Sequence, residues 1–289
     1  MDTALSLRMS FDKGEKLDSS EISRLLEESQ VIGKLTKDYE ETPLFTIFRL
    51  VCLSEIPYCE RLPYTQKLLD WCDKNLATPE GFSYTGKVDG IVPCYNALLL
   101  EAYTRLGKSD SLEVGNALNW IKHYQVFERN NETSWSYDGI CKHGGCMKAT
   151  PCYIGIGKTV RALITYAEYT NHRDLEVESL IEKGTSYMLK HHFYQRLSNQ
   201  APISAHITDI MFPQAYMLSL TDLVYIVNKQ SLWNGERVNA LKKLVRSKIG
   251  KENTIGNDYI YSHKGYKSFD GKKKSSEWNS YLFSQVIRF

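Results

Sequence analysis

The residues able to do chemistry in this 289-residue chain gather in a few short stretches, the densest running from Trp135 to Cys152. There Asp138, Cys141, His143, Cys146 and Cys152 share one glycine-containing segment, WSYDGICKHGGCMKATPC. Thiolate and imidazole are preferred zinc ligands, four for a structural site and three plus water for a catalytic one. Cys141, His143 and Cys146 are therefore the expected metal ligands, with zinc as the candidate cofactor and Asp138 and Cys152 beside it. The spacing C-x-H-x-x-C is not a standard zinc motif, and no second C-x-x-C is present. Without metal, Lys142, His143 and Lys148 would favour a thiolate on a neighbouring cysteine. The plain alternative is a loop with two incidental thiols and Cys152 packed among helices.

Other candidates lie further along. His206 and Asp209 stand three apart just ahead of an apolar run, a spacing that suits a proton-relay pair working near neutral pH. Alternatively Asp209 caps the helix and His206 meets water. Asp222 sits inside an apolar helical stretch, LTDLVYIVNK. A carboxylate there needs a partner, so it is either satisfied in the core or facing a cavity. In the last loop His263, Lys264 and Lys267, followed by Lys272, Lys273 and Lys274, offer a seat for a diphosphate or another anion, or simply a solvated loop. Tyr84, Tyr95, Tyr137, Tyr153 and Tyr216 can line an aromatic cavity able to stabilise cations, or pack as core. His191 and His192 point about 100° apart on a helix, so one packs or caps its C-terminus.

These residues need a scaffold, and the apolar spacing supplies one made of helices. Helices are expected near 20–33, 42–55, 63–77, 93–106, 112–127, 151–170, 175–195, 212–229, 235–249 and 276–288. Proline marks several starts, at Pro43, Pro63, Pro93 and Pro151. Two kinds alternate. The 93–106, 151–170 and 212–229 stretches are apolar nearly all round and so buried, whereas 63–77, 112–127 and 235–249 are amphipathic and face water. The pattern also repeats. Pro93-Cys94-Tyr95 and Leu112-Glu113-Val114 return as Pro151-Cys152-Tyr153 and Leu175-Glu176-Val177, 58 and 63 positions later. A two-helix unit cannot bury its apolar faces alone, so neighbouring units stack. An inner ring of helices within an outer ring follows: a single all-α domain over 1–289, an α/α toroid of about five pairs, with 1–18 loosely packed. The longer loops, 78–92, 127–150, 196–211 and 250–275, all join an outer helix to an inner one, which gathers them at one mouth.

Lys183-Gly184-Thr185-Ser186-Tyr187-Met188-Leu189 resembles the repeat of squalene–hopene-type cyclases, and Ala117-Leu118-Asn119-Trp120-Ile121 with Gln125 and Trp135 is a looser copy. Val92-Pro93-Cys94-Tyr95 and Thr150-Pro151-Cys152-Tyr153 are similar to inner-helix openings of protein prenyltransferase beta subunits. Ser275-Ser276-Glu277-Trp278-Asn279 resembles the closing helix of small bacterial single-domain toroid proteins. The resemblance spans roughly residues 40–289. It implies a terpenoid cyclase/prenyltransferase-like toroid acting on an isoprenoid or other long apolar substrate in its central cavity, zinc- or thiolate-assisted. In that picture Asp138, Cys152, His206, Asp209 and Asp222 are catalytic, and Tyr95, Tyr153, Tyr216, His263, Lys264 and Lys267 bind substrate. Two departures stand out. The chain has no D-x-D-D run of the kind that protonates cyclase substrates, and Thr150 occupies the position matching the zinc-binding histidine of prenyltransferases.

Composition narrows the partners. A net charge of +2 gives no argument for nucleic acid. No window approaches 18 uncharged apolar residues, so no membrane span is expected. Seven cysteines, an odd number, and a first segment without a basic-then-apolar pattern point to reduced thiols and the cytoplasm. The expected partner is an apolar small molecule or a prenyl diphosphate, with a peptide as a further candidate. The alternatives are a non-catalytic ligand- or protein-binding toroid and a peptide-modifying enzyme using the cysteine loop.

Overall fold

The computed structural model describes residues 1–128, 131–137, 152–170, 173–272 and 275–284. Asp138, Cys141, His143 and Cys146 lie outside the described residues. Twelve α-helices are present among those described. In chain order they are α1 (Thr3–Asp12), α2 (Ser19–Glu28), α3 (Gln30–Thr36), α4 (Pro43–Ser54), α5 (Pro63–Asn75) and α6 (Pro93–Arg105), then α7 (Leu112–Tyr124), α8 (Tyr153–Tyr169), α9 (Leu175–Lys190), α10 (Leu220–Lys229), α11 (Asn239–Lys248) and α12 (Glu277–Ser284).

The division into buried and half-exposed helices holds. From Phe45 to Ser54 every residue of α4 is buried, and α6 and α8 are buried nearly as fully. By contrast α5, α7 and α9 bury one face each. The central helix α6 packs against α4 on one side and α8 on the other, and α8 also meets α10. Each carries its amphipathic partner: α4 with α5, α6 with α7, α8 with α9. Proline at the first turn opens α4, α5 and α6, where its missing N–H costs no hydrogen bond. The amphipathic helices are capped by side chains instead. Ser111 accepts from Val114 N in α7, and Asp174 from Glu176 N and Val177 N in α9. Lys122 then ties α7 to that second cap, its Nζ 2.8 Å from Asp174.

Several boundaries differ from expectation, each for a local reason. The 20–33 helix is two, because Ser29 leaves the helical region and caps α3 through Ile32 N. The 212–229 helix begins only at Leu220. A capping box, with Ser219 accepting from the Asp222 backbone and Asp222 Oδ2 accepting from Ser219 N, sets the start there. The 175–195 helix stops at Lys190, since His192 and Phe193 have φ of 46° and 69°. Of residues 1–18, expected to be loosely packed, the first twelve are not: α1 buries Ala4, Leu5, Leu7 and Arg8, and Asp2 both caps α1 and accepts from Ser29 Oγ and Val31 N, while 13–18 are mostly exposed. A short hairpin of β1 (Ala77–Thr78) against β2 (Gly81–Phe82) precedes α6, pairing Ala77 with Phe82. No helix among the described residues is long and apolar enough to cross a membrane.

Candidate functional site

Six rings meet over the N-terminal ends of α4 and α6. Phe48 comes from α4, Tyr95 from α6, Tyr84 from the loop after β2, Tyr216 from the segment before α10, and Tyr261 and His263 from the last long loop. Tyr95 stands 5.2 Å from Tyr84, 6.3 Å from Tyr216 and 6.3 Å from Phe48, centroid to centroid. Tyr261 closes the group at 5.0 Å from Phe48 and 5.7 Å from Tyr216, and lies nearly parallel to His263. Such tilted and edge-to-face pairs are the favoured aromatic geometries. Phe48 is buried, and the other five are half-buried, presenting one side outward. The hydroxyls of Tyr95, Tyr216 and Tyr261 make no hydrogen bond to any described residue. Half-buried polar groups without protein partners are available to a guest or to water.

The electrostatics of this strip are those of neutral groups. Burial pushes the Tyr95 phenol far above its ordinary range, with Cys94 and Tyr261 adding to the effect. Burial also lowers the His263 imidazole below 6.5, so the ring is uncharged at neutral pH. His263 Nδ1 accepts from Gly265 N at 3.0 Å, which puts the proton on Nε2. The loop carrying it is held down by Arg49, a fully buried residue of α4. Arg49 donates to the carbonyls of Gly265 at 2.9 Å, Lys264 at 3.1 Å, Asp38 at 3.2 Å and Leu35, and to Tyr64 Oη at 3.1 Å. Gly265 presses so closely on the Phe45 backbone that a Cβ there would collide with it.

The expected site residues divide accordingly. Tyr95, Tyr216 and His263 are in the strip. Tyr153 is not: it is buried between α8 and α9, its hydroxyl donating to Phe193 O at 2.7 Å and its ring packed on Tyr187 and His191. Lys264 and Lys267 face carboxylates, Glu40 at 3.0 Å and Asp38 at 3.3 Å, on the outer side of the loop. Cys94 and Cys152 stand at the openings of α6 and α8, half-buried and near each other. Burial, then the neighbouring Cys152, raises the Cys94 thiol to about 12, so it is not a thiolate at neutral pH. His206 and Asp209 do pair, Nδ1 to Oδ2 at 2.8 Å, with the imidazole stacked on Tyr259 at 3.8 Å. His206 adopts φ of 64°, a conformation uncommon for a residue with a side chain.

Asp222 is satisfied in the core, within a buried ionic network that joins all four central helices. Asp222 Oδ1 accepts from Lys158 Nζ at 2.9 Å and Arg161 Nη1 at 2.8 Å, and Oδ2 from Ser219. Arg161 also donates to both oxygens of Glu101 at 3.1 Å and to Glu55 Oε1 at 2.7 Å. Arg105, Gln214 and Thr165 complete the shell of Glu101. Burial alone would raise the Glu101 carboxyl, but Arg161 and Arg105 outweigh it and bring it to about 2. The Asp222 carboxyl is lowered in the same way, by Lys158 and Arg161 against burial. Burial lowers the Lys158 ammonium despite that contact. With its carboxylate oxygens occupied by cations and amides, this network holds helices together rather than offering an open coordination site. Among the described residues no group of three or more His, Cys, Asp or Glu is arranged to hold a metal ion.

Comparison with models of protein families, with curated proteins and with solved structures finds no match to this chain.

Proposed function

We propose that the chain is an α/α ring protein whose mouth receives an isoprenoid or another elongated apolar group, along the strip formed by Tyr84, Tyr95, Phe48, Tyr216, Tyr261 and His263. The ring reading is supported by the ionic network, in which α4, α6, α8 and α10 contribute side chains or their flanking residues to one buried centre. The observation that carries the binding reading is the strip itself: contiguous uncharged rings, five of them half-buried, with three phenol hydroxyls that bond no described residue. Ring faces suit apolar chains and positive charge alike, and the hydroxyls suit a polar end group. The ionic network occupies the buried centre shared by these helices, so the guest is placed at the mouth.

A non-catalytic version of this reading has its own support, since Tyr95 and Cys94 are both shifted away from the range where they exchange protons at neutral pH. The catalytic version draws on the His206–Asp209 pair, beside Tyr259 and two residues from Tyr261 in the chain. Zinc or thiolate assistance would come from Asp138, Cys141, His143 and Cys146, with Cys152. Titrating the full chain with farnesol and with farnesyl diphosphate, read by intrinsic fluorescence, tests the site. Saturable binding that weakens at least tenfold in Tyr216→Ala is expected. Absence of saturable binding for both compounds removes the proposal, and turnover of the bound diphosphate separates enzyme from carrier.

A further inference from the structure

A second concavity lies between α1, α10 and α12, with none of the mouth residues in its wall, and it encloses about 130 Å³. That is close to the size of an engineered apolar cavity that accepts benzene, about 150 Å³. Its walls are of two kinds. Phe212, Val224 and Leu282 make one side apolar, and Arg8, Glu55 and Arg161 bring the edge of the ionic network to the other.

The polar side is unevenly spent. Asp12 accepts from Arg8 Nε at 2.9 and 3.0 Å and from Tyr281 Oη at 3.0 Å. Glu55 accepts from Arg161 at 2.7 Å and from Arg8 Nη1 at 3.5 Å. The carboxylate acceptors at this site are therefore occupied. The donors are not: Arg8 Nη2 and the Asn228 side-chain amide make no hydrogen bond to any described residue, although both residues line the cavity. Arg8 is 8 % exposed and lines the cavity, so a guest there meets a largely buried guanidinium. A guest that accepts hydrogen bonds finds two donors here, Arg8 Nη2 and the Asn228 amide N–H, and a charged acceptor gains most from the guanidinium. The apolar wall asks for a compact hydrocarbon body on the same molecule.

We infer that this cavity is a binding site for a small monocarboxylate with a branched aliphatic or aromatic body, its carboxylate on Arg8 and Asn228 and its body against Phe212, Val224 and Leu282. The site is independent of the mouth. Isothermal titration of the full chain with isovalerate, isovaleramide and inorganic phosphate tests it. Isovalerate is expected to bind once per chain, with the uncharged amide and the bodiless phosphate each at least tenfold weaker. Val224→Phe fills the apolar side without touching a charge and should lower isovalerate affinity at least tenfold. Leu282→Trp, at a half-buried wall position, does the same should the first variant not fold. No saturable isovalerate binding by the unaltered chain, equal binding of the amide or of phosphate, or undiminished binding in a folded filling variant would each overturn the assignment.

Discussion

Arg161 contacts three carboxylates, Glu55, Glu101 and Asp222, and each of them is buried. Removing one member of a buried ionic group leaves charge without compensation, at a typical cost of about 3–5 kcal/mol. Arg161→Met is therefore expected to lower unfolding free energy by about that amount, measured by urea titration. Adding Glu101→Gln to Arg161→Met should recover part of the loss, because one stranded carboxylate then disappears, and a double-mutant cycle gives the coupling. Additive losses would mean that Arg161 and Glu101 do not act on each other. The same group fixes a pH dependence. Glu101 is brought from its ordinary 4.5 to about 2 in the folded chain, so the unfolded chain binds its proton more readily. Stability from this group is fully present above pH 4.5 and declines as pH falls toward about 2. Urea midpoints should fall across that window, and less steeply in Glu101→Gln; parallel slopes would remove Glu101 from the acid response.

Between elements, distance of approach decides the sign of a substitution. Gly184 in α9 lies so near α8 that a Cβ would collide with Val160 and crowd Phe127. Gly184→Ala is therefore expected to destabilise by about 1–3 kcal/mol through overpacking. Gly115 in α7 has open space around it, and Gly115→Ala should stabilise by about 0.5–1 kcal/mol, from helix propensity alone. Thermal melts of the two variants should move in opposite directions; a common direction would mean that α8 and α9 are not in close contact. That small residue between Lys183 and Thr185 was readable as part of a repeat, as were the proline-led starts of α4, α5 and α6. The onset of α10 was not readable, because Phe212, Ala215 and Met217 are as apolar as the helix that follows and only the Ser219–Asp222 box marks the boundary. Nor was α1, whose Leu5, Leu7, Met9 and Phe11 alternate with a period of two rather than a helical one. At the candidate site, Tyr95, Tyr216 and His263 carried a signal, while Tyr153 looked equivalent to Tyr95 in the repeat and packs against α9 instead. Glu101, Lys158 and Arg161 bear the same mark as Asp222, a charge inside an apolar helix. Their mutual pairing depends on contacts 60 or more residues apart, which no local pattern carries.

At the scale of the molecule, the chain's late loops are fastened onto its early helices. Arg49 in α4 reaches across 216 positions to Gly265 O, and Tyr281 in α12 reaches back to Asp12 in α1. This fastening sets one side of the aromatic strip, since His263 and Tyr261 ride on the loop that Arg49 holds while Phe48 and Tyr95 belong to helices. Arg49 is fully buried and its partners are chiefly backbone carbonyls, so a shorter neutral side chain there strands acceptors on two loops at once. Leaving buried acceptors unsatisfied costs about 1–3 kcal/mol, and the cost should fall where the acceptors are. In Arg49→Gln, amide hydrogen exchange is expected to quicken around 35–38 and 263–266, while α6 and α8 keep their protection. Farnesol affinity should drop with it even though no residue of the strip has changed, because two of its six rings lose their fixed position. Exchange that quickens uniformly would make Arg49 a general support of the fold. Unchanged exchange with weakened binding would place it in direct contact with the guest. Only the local pattern joins the clamp, the loop and the aromatic strip into one device.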